Sequence, residues 1–229
     1  MEYRSELKFR VSEYDLNRIK YRLLPLLKCD EHEEEQGYLV RSIYFDDIYN
    51  SYMAENEAGT GFRYKYRIRM YNGNPNYIRL EKKIKYCGMT KKITEAINIE
   101  ECDMLLNGDL CKLHGIRKNI GKQIFDEVYF EMLHKKLMPK CIVEYERFAL
   151  IEKAGNVRIT FDRNIAGSSY VEQFYNKKID VIPVMRKEYH ILEIKYDQML
   201  PKYILQAADI GGLRRQTFSK YYSTRIALG

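Results

Sequence analysis

No two cysteines stand in a Cys-x-x-Cys spacing, and the five present (Cys29, Cys87, Cys102, Cys111 and Cys141) are odd in number and scattered. A structural zinc site and a disulfide framework are therefore both disfavoured, and reduced thiols in the cytosol are the simpler expectation. No apolar run approaches the length that crosses a bilayer, which excludes a membrane-spanning helix. The opening residues Met1 to Glu6 lack the apolar core of a signal peptide, so a cytoplasmic location is expected. His32, His114, His134 and His190 stand apart, without metal-ligand spacing. Long internal repeats and low-complexity linkers are missing too, and residues 1–229 are expected to form one domain. Gly59 and Gly61 form a Gly-x-Gly without the strand-to-helix setting of a phosphate loop.

What the chain does have is cationic charge in an ordered pattern. The formal net charge of +7 favours acidic partners, which include nucleic acid, an anionic membrane surface and phosphorylated small molecules. In the stretch Arg63-Tyr64-Lys65-Tyr66-Arg67-Ile68-Arg69 the aromatic and β-branched residues argue for a strand. Side chains alternate along a strand, so Arg63, Lys65, Arg67 and Arg69 share one face while Tyr64, Tyr66, Ile68 and Met70 share the other. Like charges in a row repel, and an anion is the missing partner.

Other segments repeat this alternation. Residues 3–11 place Arg4, Glu6 and Lys8 on one face, and the turn at 71–76 leads back into a strand with Arg79, Glu81, Lys83 and Lys85 aligned and Lys82 out of phase. Further strands are expected at 39–47, where Arg41 and Ile43 share a face, and at 91–96 and 142–150. Two more follow, at 157–163 with Arg158, Thr160 and Asp162 aligned and at 191–197 with Glu193, Lys195 and Asp197 aligned. Helical spacing appears from Ser12 to about Leu27, around 201–208, and as an insertion over 98–140. The acidic run 30–35 reads as a solvated loop, and residues 216–222 take no element type from their pattern.

A mainly antiparallel sheet with one charged and one apolar face can leave the charges in water or close around them. If helices cover the apolar face from outside, the charged face lines a tunnel. Buried cations without partners are costly, so such a tunnel holds water and a polyanion. A triphosphate matches converging lysines and arginines. The interleaved carboxylates Glu6, Glu81 and Glu193 suit a hard divalent cation bridging phosphate oxygens.

The set Arg4-x-Glu6-x-Lys8, Arg67-x-Arg69, Leu80-Glu81-Lys82-Lys83, Glu144-Tyr145-Glu146-Arg147-Phe148-Ala149, Arg158-Ile159-Thr160-Phe161-Asp162, Leu192-Glu193-Ile194-Lys195 and Ser219-Lys220-Tyr221, in order over nearly the whole chain, resembles the VTC (vacuolar transporter chaperone) polyphosphate polymerase domain of the triphosphate tunnel metalloenzymes. The resemblance implies an α+β, mainly β fold: a closed antiparallel eight-stranded tunnel barrel with helices packed outside. It implies transfer of the γ-phosphate of ATP to growing polyphosphate, with Mn2+ or Mg2+ as cofactor. By it, Lys8, Arg67, Arg69, Lys83, Arg147 and Lys220 match phosphate-gripping positions and Glu193 the metal-binding carboxylate, with Glu6 and Glu81 as further metal candidates. Arg4, Arg41, Arg158, Lys195 and Ser219 are the accompanying substrate-binding candidates. The superfamily opening is Glu-x-Glu-x-Lys, and Arg4 in place of the first Glu leaves fewer carboxylates for a second metal. A tunnel triphosphatase that releases phosphate to water, and a non-catalytic binder of polyphosphate or single-stranded nucleic acid, remain the alternatives, although no nucleic-acid partner is expected.

Overall fold

The computed structural model describes residues 3–30 and 37–229. Of the acidic run at 30–35 only Asp30 falls among them, and it pairs with Arg158; His32 lies outside the described residues.

The chain opens with β1 (Ser5–Ser12) and α1 (Glu13–Leu23), where the Ser12 hydroxyl accepts the Asp15 N–H as the N-terminal cap. Then come the short β2 (Lys28–Cys29), β3 (Tyr38–Asp46), α2 (Ser51–Ala58), β4 (Phe62–Tyr71), β5 (Ile78–Tyr86) and β6 (Met89–Ile97). The helical insertion resolves into α3 (Ile99–Asn107), α4 (Leu110–Ile120) and α5 (Gln123–Lys135), with a reciprocal Asn98–Glu101 capping box starting the first. β7 (Met138–Glu152) begins earlier than the hydrophobic pattern indicates. A register shift opposite Tyr44 and Phe45 makes room there for Pro139, which cannot donate to a regular ladder. The chain closes with β8 (Val157–Ser168), β9 (Ile182–Pro183), β10 (Tyr189–Tyr196), α6 (Lys202–Ala208) and α7 (Lys220–Leu228). No helix among the described residues is long and apolar enough to cross a membrane.

Eight strands pair antiparallel in the order β1-β10-β8-β7-β3-β4-β5-β6, with β2 added on β7 and β9 on β8. Alternation gives each strand one apolar face, and helices cover that face in two blocks. Leu16, Ile19 and Leu23 of α1 and Ile204 of α6 pack on Phe9, Val11, Ile159, Phe161, Leu192 and Ile194. Ile124, Phe125, Val128 and Met132 of α5 join Tyr66, Ile68, Met70, Ile78 and Leu80 in the other. Each such side chain withdrawn from water contributes roughly 1.5–3 kcal/mol. Lys82, out of phase with its neighbours, belongs to this outer face and pairs with Glu127 of α5 at 2.6 Å.

The closed barrel expected from the sequence is not reached as a continuous ladder. The terminal strands of the sheet meet at one bridge, where Arg4 and Thr90 exchange N–H···O bonds of 2.9 Å. Arg4 immediately precedes β1, so this seam pairs at the strand's end and not along its length. The architecture is thus an α+β, mostly antiparallel sheet with seven α-helices among the described residues.

Candidate functional site

Residues directly opposite one another in a ladder share a face, which fixes what the uncovered face carries. Lys8 faces Glu193, which faces Thr160; Glu6 faces Lys195, which faces Arg158. Arg147 faces Asp162, Arg67 faces Glu81, and Lys65 faces Lys83, which faces Lys92. Every one of these positions lies on the face away from the helices.

Two cavities follow this face. One, of about 560 Å³, is lined by Arg4, Lys8, Arg67, Arg69, Lys83, Arg147, Arg158, Glu193, Lys195 and Lys220, together with Tyr44, Tyr71, Tyr145 and Lys92. The other, of about 450 Å³, carries Glu6, Arg63, Lys65, Lys85 and Ser219, with Asn56 of α2 and Tyr222 of α7. They share Lys8, Tyr44 and Lys83, so the two spaces meet at those side chains. The expected convergence of cations from distant segments is therefore found.

Carboxylates hold these cations in place. Asp162 is fully buried; Arg147 donates from Nε to Oδ1 at 2.7 Å, and the Lys220 ammonium lies 2.6 Å from Oδ2. Both cations depress Asp162, to about 2, against the upward push of burial. Glu81, also fully buried, accepts from Arg67 at 2.6 Å and from Lys92 at 2.7 Å, and these cations together with Arg69 hold it well below the usual carboxylate range although burial acts the other way. Arg69 donates to Ser42 Oγ and to the Tyr145 hydroxyl, each at 3.0 Å. The guanidinium groups are thus aimed before any ligand arrives.

The remaining lysines are less fully matched. Lys8 lies 3.3 Å from Glu193 and 3.5 Å from Glu6, and these carboxylates raise it although burial alone would lower it. Lys195 lies 2.8 Å from Glu193 and 3.6 Å from Glu6. Burial lowers Lys83 to about 7 with Lys8 and Lys195 adding to the effect, even though Glu6 is 3.1 Å away. Its neighbour across the ladder, Lys65, is lowered to about 7 by burial and by Arg63. Burial and neighbouring cations thus disfavour the ammonium forms of these two lysines, and a polyanion would favour them again.

One sequence candidate is placed elsewhere, and a second is already fully paired. Arg41 points to the covered face: it is 2% exposed, pairs with Glu144 at 2.5 Å and donates to the carbonyls of Phe174 and Asn176 at 2.8 and 2.6 Å. Strand phase decides this, because Ser42 and Tyr44 occupy the uncovered face of β3 and Arg41, one residue before Ser42, points the opposite way with Ile43. Glu81 does lie on the uncovered face, opposite Arg67, but Arg67 and Lys92 occupy its oxygens. Arg4 is tied to Asp197 at 2.8 Å at the rim, and Arg158 to the Tyr38 hydroxyl at 3.0 Å.

Sequence reading passed over Asp162 as an anchor, and Lys92, Tyr44 and Tyr145 as lining residues. For Lys92 a signal exists: the Cys87–Gly88 turn sets a register that puts it opposite Lys83. Ser219 earns its place through helix chemistry. Its hydroxyl accepts the Tyr222 N–H at 3.3 Å to cap α7, and Lys8 donates to the adjacent Phe218 carbonyl at 2.9 Å, so Lys220 leads into the cavity from a fixed helix start.

A divalent cation would find two carboxylates side by side, since Glu6 and Glu193 both border Lys8 and Lys195. Among the described residues no group of three His, Cys, Asp or Glu side chains is placed to hold a metal. Hard cations of this kind are commonly bound by one or two carboxylates with phosphate oxygens and water completing the shell, and Glu6 with Glu193 fits that pattern.

A family model described as the VTC domain matches residues 3–228. No curated protein matches. Among solved structures, a candidate adenylate cyclase from Vibrio parahaemolyticus is 10% identical, with 98% of each chain covered and a TM-score of 0.54. Another from Bacillus halodurans is 12% identical, with 95% of this chain and 94% of that one covered and a TM-score of 0.52. At such identities the likeness is one of fold.

Proposed function

The chain belongs to the VTC domain family, and on that basis we propose that it is a metal-dependent phosphotransferase that moves the γ-phosphate of ATP, or of another nucleoside triphosphate, onto a growing polyphosphate. The observation that carries this reading is the meeting of two cation-lined cavities at Lys8, Tyr44 and Lys83. A triphosphate in one would have a second basic space beyond it. A growing polymer requires such a space, and a released phosphate does not.

In this reading Lys8, Arg67, Arg69, Lys83, Arg147 and Lys220 grip the phosphate oxygens, with Arg4, Arg158, Lys195 and Ser219 lining the approach. Glu193 with Glu6 would hold Mn2+ or Mg2+, which supplies charge neutralisation on the phosphate oxygens. The acceptor is the terminal phosphate of the polymer, already an oxyanion at neutral pH. Its oxygen forms the new bond to the γ-phosphorus as the bond to the nucleoside diphosphate breaks, and the electron pair leaves with the diphosphate. No proton has to be removed, so the site needs no general base. Arg147, aligned by Asp162, and Arg67, aligned by Glu81, are oriented in advance for the charge that develops.

Incubation with ATP and Mn2+ or Mg2+, followed by gel separation of the products, tests the reading. Long phosphate polymer supports it. Free phosphate alone makes the protein a tunnel triphosphatase, and binding without turnover makes it a polyphosphate-binding module. Glu193→Gln is expected to abolish turnover while tripolyphosphate binding persists.

A further inference from the structure

Thr160 occupies the tunnel face of β8, directly opposite Glu193 on one side and Ala149 on the other. It is 2% exposed, and its hydroxyl oxygen has no hydrogen-bond partner among the described residues. Arg158 and Asp162, two positions away on either side of the same face, are both paired. The hydroxyls of Thr94 and Thr224 are also buried without a partner among the described residues, and each such group carries a cost, because a valine would fill the same volume without leaving a polar group unmatched. Thr94 stands in a like setting opposite Glu81, but Arg67 and Lys92 occupy both oxygens of that carboxylate; Glu193, opposite Thr160, is 3% exposed and is held ionised, against burial, by the more flexible ammonium groups of Lys195, Lys8 and Lys83. Ala149, its other neighbour, projects only a methyl group.

We propose that Thr160 supplies the third protein oxygen of the divalent-cation site, beside the carboxylates of Glu193 and Glu6. A threonine hydroxyl is a suitable neutral ligand for a hard cation whose remaining positions are filled by phosphate oxygens. When the polyanion draws Lys8 and Lys195 onto its own oxygens, the carboxylates they border are released to the cation, and the hydroxyl opposite gains the partner it lacks. This rests on the reading above only in taking a cation to bind beside Glu193; it does not depend on whether the product is polymer or phosphate.

Binding of Mn2+ to the intact chain, followed by electron paramagnetic resonance in the presence of inorganic tripolyphosphate, tests the assignment. Thr160→Val is expected to weaken Mn2+ binding by ~10-fold, the scale on which a lost supporting group lowers metal affinity. Thr160→Ser should bind like the parent chain, and metal-free tripolyphosphate affinity should be unchanged in both variants. The melting temperature of Thr160→Val should be unchanged or raised, because no hydrogen bond is lost. Undiminished Mn2+ binding by Thr160→Val would overturn the proposal, and so would a variant that fails to fold, since the hydroxyl would then be structural. A Glu193→Gln variant that binds Mn2+ like the parent would instead remove the cation from this location altogether.

Discussion

Arg147 and Asp162 face one another across β7 and β8 and close a two-point ion pair, Nε to Oδ1 at 2.7 Å and Nη2 to Oδ2 at 2.8 Å. With the Lys220 ammonium 2.6 Å from the same carboxylate, one buried anion balances two cations from different elements. Removing that anion by Asp162→Asn leaves both cations unmatched in a desolvated site, at an expected cost of about 3–5 kcal/mol in a denaturant titration. An added polyanion should replace the missing charge. Saturating tripolyphosphate is therefore expected to stabilise the variant more than the parent chain, and equal stabilisation would separate Asp162 from the site.

Lys65 and Lys83 predict a pH dependence of definite sign. Both are held near 7, against an ordinary value of 10.5, chiefly by burial. Between those limits the unfolded chain binds more protons than the folded one, so these two groups make stability rise with pH from about 7 towards 10.5. A bound polyanion favours the charged forms. At pH 8 tripolyphosphate binding should take up protons, and its affinity should fall as pH rises above neutrality. Calorimetry in buffers of different ionisation enthalpy would show the uptake; a binding heat independent of buffer would refute it.

Consecutive residues on β5 should behave oppositely. Lys83 faces the shared part of the two cavities, whereas Lys82 faces α5 and pairs with Glu127. Lys83→Ala is expected to weaken tripolyphosphate binding at least severalfold below neutral pH, with little change in stability. Lys82→Ala should leave binding intact and cost about 1 kcal/mol or less of stability. Equal effects on binding would mean that the strand's faces are wrongly assigned.

Gly167 of β8 gives a handle on α7. A β-carbon there would lie 2.2 Å from Thr224 Cγ2, on the helix whose first residue is Lys220. Gly167→Ala is expected to cost roughly 1–3 kcal/mol by overpacking and to lower tripolyphosphate affinity by displacing Lys220. Adding Thr224→Ala removes the atom in closest conflict and should restore much of both. A double variant no better than the single one would show that the contact does not act through α7.

How much of this was legible in advance follows from the range of each interaction. Period-two alternation placed Lys8, Arg67, Arg69, Lys83, Arg147 and Glu193 on one face because strand geometry is local, and the same rule set Lys82 apart. Alternation sets Arg41 apart from Ser42 and Tyr44, one and three residues further along β3, without saying which of the two faces carries the site. What decides it is knowing which face of β3 the helices cover, and that is a matter of packing between distant segments. Asp162 was legible as a face but not as an anchor, since its partners lie 15 and 58 residues away.

The sequence by itself determined the longer strands, their two unlike faces, the start of α1 at Ser12 and a family likeness, all of which depend on patterns within the chain's own neighbouring residues. The tertiary structure decided that the terminal strands touch only at Arg4 and Thr90, that Arg41 is buried under the outer layer, and that Asp162 joins Arg147 to Lys220. Those outcomes depend on how a twisted sheet brings distant segments together and on which buried charge finds a counter-charge, and no local pattern in the chain encodes either.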